Sequence, residues 1–241
     1  MLQTFFKTVA GIQLPVWIYP PQIENTYSDT LVLCIHGGGW YAMDKNEAWN
    51  GGWMDYQARY YAEKGFYGAV ISYRSIGLTE QTTVFDLLED CRDALDFIAE
   101  HVPYKRLILM GDSAGGHLAA MLTLQAPDLA DVAVLCNPVT DCTADRWAYV
   151  ARPEQTRQAS PIYCVQKTKT RYLLLHGDAD TVVDWADTKK FYEKMRENGN
   201  ICMFHLLPGA KHAFILKGYV SADSQLAEYM NIIDDYINLN L

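Results

Sequence analysis

The chain has 241 residues, of which 50% are hydrophobic and 20% are charged, the composition of an ordinary globular protein. This composition excludes a disordered tail, a collagen and a coiled coil. Twenty Lys and Arg residues against 29 Asp and Glu residues give a net charge of −9. Because an acidic chain without a local run of basic residues is repelled by a phosphate backbone, nucleic acid is not an expected partner.

The sequence carries no signal for a membrane or for export. Its longest apolar runs, such as 31–35 and 132–136, are far shorter than the roughly 20 residues of a membrane-spanning helix. No basic stretch followed by an apolar one opens the chain, so no secretory leader is expected. The six cysteines are scattered and form no CxxC pair. This pattern favours a reduced, cytoplasmic protein over an exported, disulfide-bonded one.

Short apolar runs alternate with helical patterns along the chain. The predicted strands are 14–19, 31–35, 68–73, 106–110, 132–137, 171–176 and 202–206. Most of the central runs are almost continuously apolar, which is typical of strands covered on both faces. The predicted helices, where apolar residues recur at helical spacing, are 84–98, 115–125, 188–198 and 224–239.

This alternation predicts the α/β class, with βαβ units, a mostly parallel central sheet and helices on both of its faces. No repeat or Pro-, Gly- or Ser-rich linker divides the sequence, so residues 1–241 are expected to form a single domain. Residues 138–170 are polar and weakly periodic. Because so long a loop usually covers or shapes a site, we expect this segment at the entrance of the active site.

A serine in a glycine-rich turn is the first candidate for chemistry. Gly-Asp-Ser-Ala-Gly-Gly at 111–116 follows a predicted strand and opens a predicted helix. In this context G-x-S-x-G holds the central residue, Ser113, in a strained turn with its hydroxyl exposed at the carboxyl edge of the sheet. The helix N-terminus behind it stabilises negative charge. The alternative is a plain Gly-rich turn capped by Ser113.

A second glycine-rich loop, His-Gly-Gly-Gly-Trp at 36–40, follows an earlier predicted strand. Glycines free the backbone to point N–H groups into a cavity, and acyl transfer needs such donors for the oxyanion of its tetrahedral intermediate. We expect the N–H groups of Gly38, Gly39 and Ala114 to form this oxyanion hole. No Lys-Ser or Lys-Thr follows the glycines, so the P-loop pattern fails, and a plain turn is the alternative. His36 is expected to be structural.

The two motifs together resemble the α/β-hydrolase superfamily. A His-Gly-Gly-Gly-Trp loop about 75 residues before Gly-Asp-Ser-Ala-Gly-Gly is similar to the esterase/lipase branch. That branch includes hormone-sensitive-lipase-like, carbohydrate-esterase-like and kynurenine-formamidase-like enzymes. The resemblance covers the chain from about residue 14 to its end, and it implies a sheet of about eight strands with a minimal cap. No metal-ligand cluster or dinucleotide motif occurs in the sequence, so no cofactor is expected.

The resemblance also implies the partners of Ser113, whose hydroxyl needs a histidine to take its proton. The fold carries them in the order serine, acid, histidine. In His-Gly-Asp-Ala-Asp-Thr-Val-Val at 176–183, the family position of the acid matches Asp180, with Asp178 and Asp184 as alternatives. A later loop ends in His-Ala-Phe, which matches the family's base at His212. The alternative for His212 is a surface histidine in a Gly/Lys turn.

The substrate is less strongly encoded than the chemistry. The aromatic side chains expected to wall the pocket, each of which could instead belong to the core, are Trp40, Tyr41, Trp147 and Phe214, with Met43 and Tyr149 as further candidates. Little sequence precedes the first predicted strand, and residues 138–170 are too few for a large lid. We therefore expect an open site for a small, soluble ester with a short acyl chain, not for a long-chain triacylglycerol.

Three functions fit these residues. The first is a carboxylesterase, acting for example on an acetylated sugar. The second is an amidase or peptidase, including an arylformamidase, that uses the same triad. The third is a non-catalytic ligand-binding protein on a hydrolase scaffold, against which the presence of Ser113, Asp180 and His212 argues. The partner expected in the first two cases is a small molecule.

Overall fold

Eight strands form one sheet in the computed structural model, which describes residues 1–41 and 53–241. They are β1 (Leu2–Val9), β2 (Ile12–Tyr19), β3 (Thr30–Ile35), β4 (Tyr67–Ile71), β5 (Arg106–Asp112), β6 (Val132–Cys136), β7 (Arg171–Gly177) and β8 (Cys202–Leu207). Their order in the sheet is β1-β2-β4-β3-β5-β6-β7-β8. The pairs β1–β2 and β2–β4 are antiparallel, and the other described pairs are parallel. The predicted mostly parallel sheet is therefore confirmed.

Helices cover both faces of this sheet. In the described ranges they are α1 (Asp55–Glu63), α2 (Val84–His101), α3 (Ala114–Gln125), α4 (Trp185–Glu197) and α5 (Asp223–Asn240). Helices α2, α3 and α4 share one core with the sheet, and α1 and α5 share the other. Alternate residues of the central strands enter opposite cores: Leu31 and Leu33 face the first, and Val32 and Cys34 face the second. This two-sided burial explains the continuous apolar runs.

The register of the central strands brings several loops to one edge of the sheet. Ile35 at the end of β3 pairs with Gly111 near the end of β5, and Asp112 pairs with Cys136 at the end of β6. The chain segments after β3, β5, β6, β7 and β8 therefore all begin at the carboxyl edge. Ligands of open α/β sheets bind at this edge.

Two described elements were not predicted from the sequence, namely β1 and α1. All eight residues of β1 are exposed or half-buried because it is an edge strand, so no buried apolar run marks it. Helix α1 has only nine residues, and its buried face holds Gln57 beside Ala58, Tyr61 and Ala62, so it carries no large aliphatic residue that would mark it in the sequence. Residues 138–170 contain three short 3₁₀ helices, Ala148–Val150, Pro153–Gln155 and Pro161–Tyr163. No helix of the described residues is both long and apolar enough to cross a membrane.

Candidate active site

Ser113 lies at the sharp turn between β5 and α3. Its φ of 53° is in the left-handed region, which residues other than glycine rarely adopt. A Cβ atom on Gly111 would lie 2.3 Å from the carbonyl oxygen of Gly115, and one on Gly115 would lie 2.0 Å from that of Ile35. The glycines of the motif therefore allow α3 to begin directly against β5 and β3.

His212 lies on the loop after β8, and its ring joins the serine to an acid. Nε2 lies 3.0 Å from Ser113 Oγ, and Nδ1 lies 2.7 Å from Asp180 Oδ2. Because a carboxylate only accepts hydrogen bonds, this contact places a proton on Nδ1 and leaves Nε2 of the neutral ring as a base. The structure thus brings together the three residues selected from the sequence.

Asp180 follows β7, and its buried carboxylate accepts hydrogen bonds from several donors. Oδ1 accepts from the backbone N–H groups of Val182 and Val183, at 2.8 and 3.0 Å. Oδ2 accepts from His212 and lies 3.1 Å from Nε2 of His176. Burial by itself raises the pKa of Asp180, but the hydrogen bonds from His176, His212 and Val183 outweigh it and hold this pKa well below its usual value.

The two alternative acids have other contacts. Oδ1 of Asp178 accepts a hydrogen bond from the backbone N–H of Gly209 at 2.6 Å, which joins the turns after β7 and β8. Asp184 is the N-cap of α4, where it accepts from the N–H of Ala186 at 2.9 Å. Of the three aspartates, the described contacts connect only Asp180 to His212.

The glycine loop after β3 borders the same space as the serine. Gly38 and Gly39 have φ of +95° and +61°, and both line the cavity that contains Ser113. Ala114 is the first residue of α3, where an N–H has no carbonyl partner inside the helix. The hydroxyl of Tyr149 donates to the carbonyl oxygen of Gly39 at 3.1 Å and so attaches residues 138–170 to this loop.

The histidine of this loop lies in the core. His36 stacks on Tyr73 with ring centroids 4.4 Å apart, and its Nδ1 lies 2.8 Å from the carbonyl oxygen of Gly37. Burial lowers the pKa of His36 to about 4. A neutral ring packed in the core agrees with the structural role expected for His36.

A cavity of about 680 Å³ opens beside Ser113 and His212. Its further lining comes from α1 with the residues just before it, from the loop after β8 and from three single residues: Trp53, Asp55, Tyr56, Arg59, Asp112, Trp147, Val182, Ala213, Leu216, Lys217, Gly218 and Tyr219. Trp147 was expected in the pocket and lines it. The residues from α1 and the last loop were missed, because no motif marks them and they lie far from the serine in sequence.

Three other expected pocket residues lie elsewhere. Trp40 is fully buried, and its indole N–H reaches Nδ1 of His117 at 3.4 Å, so the ring belongs to the core. Phe214 is also fully buried and packs edge-on against Tyr229. Tyr41 is half-exposed and stacks on Tyr149, outside the described lining of the cavity. Met43 lies outside the described residues.

Three polar residues next to Ser113, Asp180 and His212 were not singled out from the sequence. Asp112 is buried, and burial raises its pKa to about 6. Asn137 donates to Oδ1 of Asp112 at 3.0 Å, and His176 contacts Asp180. The His-Gly turn that precedes Asp180 was a usable signal for His176, whereas Asn137 had none. Within residues 1–41 and 53–241, no group of three or more His, Cys, Asp or Glu side chains could hold a metal ion.

This sheet order, with a serine at a strand–helix elbow and a histidine on the last loop, defines an α/β-hydrolase. Solved structures of Thermogutta terrifontis esterase 2 confirm the fold. The paraoxon-phosphorylated form has a TM-score of 0.81 at 24% identity, and the butyrate-bound form has 0.80 at 23%. In each case the alignment covers 98% of this chain and 92% of the other.

The BD-FAE family model matches residues 17–141, which is about half of the sequence, and the chain belongs to this family. Esterase LipQ of Mycobacterium tuberculosis is 29% identical over 143 residues, 47% of this chain and 34% of that protein. The probable isoprenylcysteine alpha-carbonyl methylesterase ICMEL1 of Oryza sativa subsp. japonica is 24% identical over 230 residues, 78% of this chain and 52% of that protein. These matches confirm the resemblance to the esterase branch.

A curated relative that is not named an esterase also matches. Acylamino-acid-releasing enzyme 2 of Oryza sativa subsp. japonica is 29% identical over 151 residues, 52% of this chain and 20% of that protein. The chain therefore spans between a fifth and about half of the length of the three curated relatives described here.

Proposed function

We propose that the protein is a serine carboxylesterase that hydrolyses carboxylic esters of small, soluble substrates with short acyl chains. The observation that carries this proposal is the position of the His212 ring, with Nε2 3.0 Å from Ser113 Oγ and Nδ1 2.7 Å from Asp180. Membership in a family with relatives named esterases supports it. So does the strained backbone of Ser113, because the turn presents the hydroxyl to the cavity.

In the first half of the reaction, Ser113 Oγ attacks the carbonyl carbon while its proton passes to Nε2 of His212. The carbonyl electrons move onto oxygen, and the N–H groups of Gly38, Gly39 and Ala114 stabilise this oxyanion. When the tetrahedral intermediate collapses, the bond to the alcohol oxygen breaks and His212 returns the proton to the leaving alkoxide. The product is an acyl ester on Ser113.

Water then repeats the sequence on the acyl-enzyme. His212 takes a proton from water, the hydroxide oxygen attacks the acyl carbon, and Ser113 leaves with the proton that His212 returns. Asp180 holds the imidazole tautomer and stabilises its charged form without taking the proton. A pKa held well below its usual value keeps this carboxylate ionised at neutral pH.

The cavity supports a small substrate that has polar groups. Its volume of about 680 Å³ lies inside the range of small-molecule sites. Its lining combines the aromatic Trp53 and Tyr56 with the ion pair between Asp55 and Arg59, which offers polar partners to an alcohol part with hydroxyl groups. The fold relative esterase 2 has been solved with propionate and with butyrate bound, which also supports a short acyl group.

Amide or peptide hydrolysis is the second candidate. It is supported by the match to an acylamino-acid-releasing enzyme. The same residues would serve, since His212 would protonate the leaving amine where it protonates an alkoxide in an ester.

A substrate panel with one control variant tests the proposal. Nitrophenyl acetate, butyrate and octanoate, acetylated sugars, aminoacyl anilides and formylkynurenine are compared by kcat/KM. We expect acetate or butyrate to be the best nitrophenyl ester, and we expect Ser113→Ala to reduce turnover by at least about 10³-fold. A fluorophosphonate probe should label the native protein and not Ser113→Ala.

Each alternative has its own outcome in this panel. Faster cleavage of the anilides or of formylkynurenine than of any ester would show that the protein is an amidase. A preference for octanoate would contradict the short acyl chain. Failure of the probe to label the native protein, with no turnover of any substrate, would leave the non-catalytic binding protein.

A further inference from the structure

The side chain of Asn137, the residue directly after β6, lies between two loops of the candidate site. Its Nδ2 donates to Oδ1 of Asp112 at 3.0 Å, and its Oδ1 accepts from the backbone N–H of Ala213 at 3.2 Å. Asp112 precedes Ser113, and Ala213 follows His212. One amide group therefore connects the residue before the serine to the residue after the histidine.

The backbone is strained at Asn137 itself, at Ala213 and at Ser113, the residue that follows Asp112. Among the described residues, few other than glycine have a positive φ, and they include Ser113 at 53°, Asn137 at 36° and Ala213 at 60°. Such conformations persist where the surrounding contacts hold them, and they concentrate at functional sites. Asparagine tolerates this region better than most residues, so its presence at 137 meets both the backbone and the side-chain requirement.

The acceptor in this contact also packs against the glycine loop. A Cβ atom on Gly37 would lie 2.9 Å from Oδ2 of Asp112 and 3.1 Å from Cβ of Ser113. The carboxyl group of Asp112 thus lies against the loop that carries Gly38 and Gly39. Through Asp112, the side chain of Asn137 is in contact with all three parts of the site.

Water has little access to these hydrogen bonds. The exposed fraction of the surface is 0% for Asn137 and 1% for Asp112. The end of β6 is held by hydrogen bonds to β7 and to the residue after β5. The N–H of Asn137 donates to the carbonyl oxygen of Leu175 at 2.7 Å, and the N–H of Ser113 donates to the carbonyl oxygen of Cys136 at 2.9 Å. A solvent molecule could not replace the amide without opening this packing.

We propose that Asn137 is a positioning residue that sets the distance between His212 Nε2 and Ser113 Oγ. Asp180 orients the imidazole ring, and Asn137 holds the backbone that carries it. Because this role presupposes the serine-hydrolase function proposed above, its test must separate the two. Acyl transfer is sensitive to such placement, since a misplacement of about 1 Å can cost about 100-fold in rate.

The principal test is Asn137→Gly, which removes both side-chain hydrogen bonds and leaves the positive φ unstrained. We expect kcat on nitrophenyl butyrate to fall by about 10- to 100-fold while KM changes by less than about threefold. The matched control is Asn200→Ala. Asn200 is a second buried asparagine, bonded to Thr168 and Met195 and remote from the triad, and its loss should lower the unfolding midpoint without lowering kcat.

A second variant, Asn137→Asp, keeps the shape and the acceptor for Ala213 and so guards against a failure to fold. It places two carboxyl groups together, and they can share a proton at low pH but repel each other at high pH. We expect its kcat, taken as a ratio to the native enzyme at the same pH, to be lower at pH 8 than at pH 6. Taking the ratio at each pH removes the effects of buffer and substrate that both proteins share.

Native-like kcat in folded Asn137→Gly would overturn the inference, as would an equal loss of kcat in Asn200→Ala. If Asn137→Gly does not fold, a ratio near one for Asn137→Asp at both pH values would overturn it. Ser113→Ala, measured in parallel, separates failure of the proposed function from failure of the positioning role. Turnover that survives Ser113→Ala refutes the proposed function itself, whereas its loss beside fully active Asn137 variants refutes only the positioning role.

Discussion

At the scale of single residues, two buried carboxyl groups of the candidate site differ in the number of hydrogen bonds that they accept. Asp180 accepts from two backbone N–H groups and from His212, and it contacts His176, so its ionised form is favoured despite burial. Asp112 has one side-chain donor, Asn137, and burial dominates its pKa. Two buried carboxyl groups in one site therefore have pKa values shifted in opposite directions.

The assignment of the acid predicts different results for two neighbouring aspartates. Asp180→Asn should lower kcat by about 10³- to 10⁴-fold, because the amide no longer favours the Nδ1-protonated tautomer of His212. Asp178→Asn, which alters only the turn contact to Gly209, should keep kcat within about threefold of native. Steady-state kinetics on a nitrophenyl ester decides between them, and the reverse pattern would make Asp178 the acid.

The raised pKa of Asp112 predicts a stability that depends on pH. The folded protein favours the neutral carboxyl, so this group's contribution is complete below its unfolded value of 3.8 and is lost as the pH rises through about 6. Asp112→Asn cannot ionise and should therefore exceed the native protein in stability above pH 6, by up to about 3 kcal/mol. Urea unfolding at pH 4 and pH 8 measures this difference, and equal differences at both pH values would contradict the prediction.

At the scale of elements, the glycines of the elbow determine how closely α3 approaches the sheet. The strand β3 ends against the first turn of α3, where the carbonyl oxygen of Ile35 occupies the space beside Gly115. The glycine loop follows β3 and Ser113 precedes α3, so this contact also sets the separation between the proposed oxyanion donors and Ser113.

Gly115→Ala should consequently damage both stability and activity. The added Cβ would lie 2.0 Å from the carbonyl oxygen of Ile35, and such overpacking against backbone should cost about 3 kcal/mol or more. Gly11→Ala is the matched control: it has a φ of +78° and nothing within 4 Å of the new Cβ, so it should cost only about 1 kcal/mol and leave kcat unchanged. Equal effects of the two substitutions on kcat would show that the close approach is unimportant.

At the scale of the whole molecule, two cores on opposite faces of one sheet account for the burial of most thiols. All six cysteines are free, and five of them are buried: Cys34, Cys91, Cys136, Cys142 and Cys202. The remaining one, Cys164, is half-buried, and burial raises its pKa. Its Sγ donates to the carbonyl oxygen of Gln158 at 3.3 Å.

A thiol titration tests this packing. Because the thiolate is the reactive form, and burial both shields the sulfurs and raises the pKa of the thiols, the native protein should react with Ellman's reagent at no more than one thiol, Cys164, and slowly. In denaturant without reductant all six should react at once. Cys164→Ser should remove the slow native reaction. Two or more fast thiols in the native protein would mean that one of the cores is open to solvent.

Local patterns in the sequence were sufficient for the fold class. Strands buried on both faces are apolar throughout, so β3, β5, β6 and β7 were recognised, and the Gly-Asp-Ser-Ala-Gly-Gly turn identified Ser113 because its conformation is determined by adjacent residues. The edge strand β1 was missed because an exposed strand needs no apolar run.

The contacts between distant segments were decided by the tertiary structure alone. Three aspartates follow β7, and only the folded chain shows that Asp180 is the one in contact with His212, 32 residues away. The bridge from Asn137 to Asp112 and Ala213, the walls of the cavity and the burial of Trp40 and Phe214 are of the same kind. Composition and spacing report the conformation of neighbouring residues, whereas these features depend on which chain segments the sheet register brings to one edge.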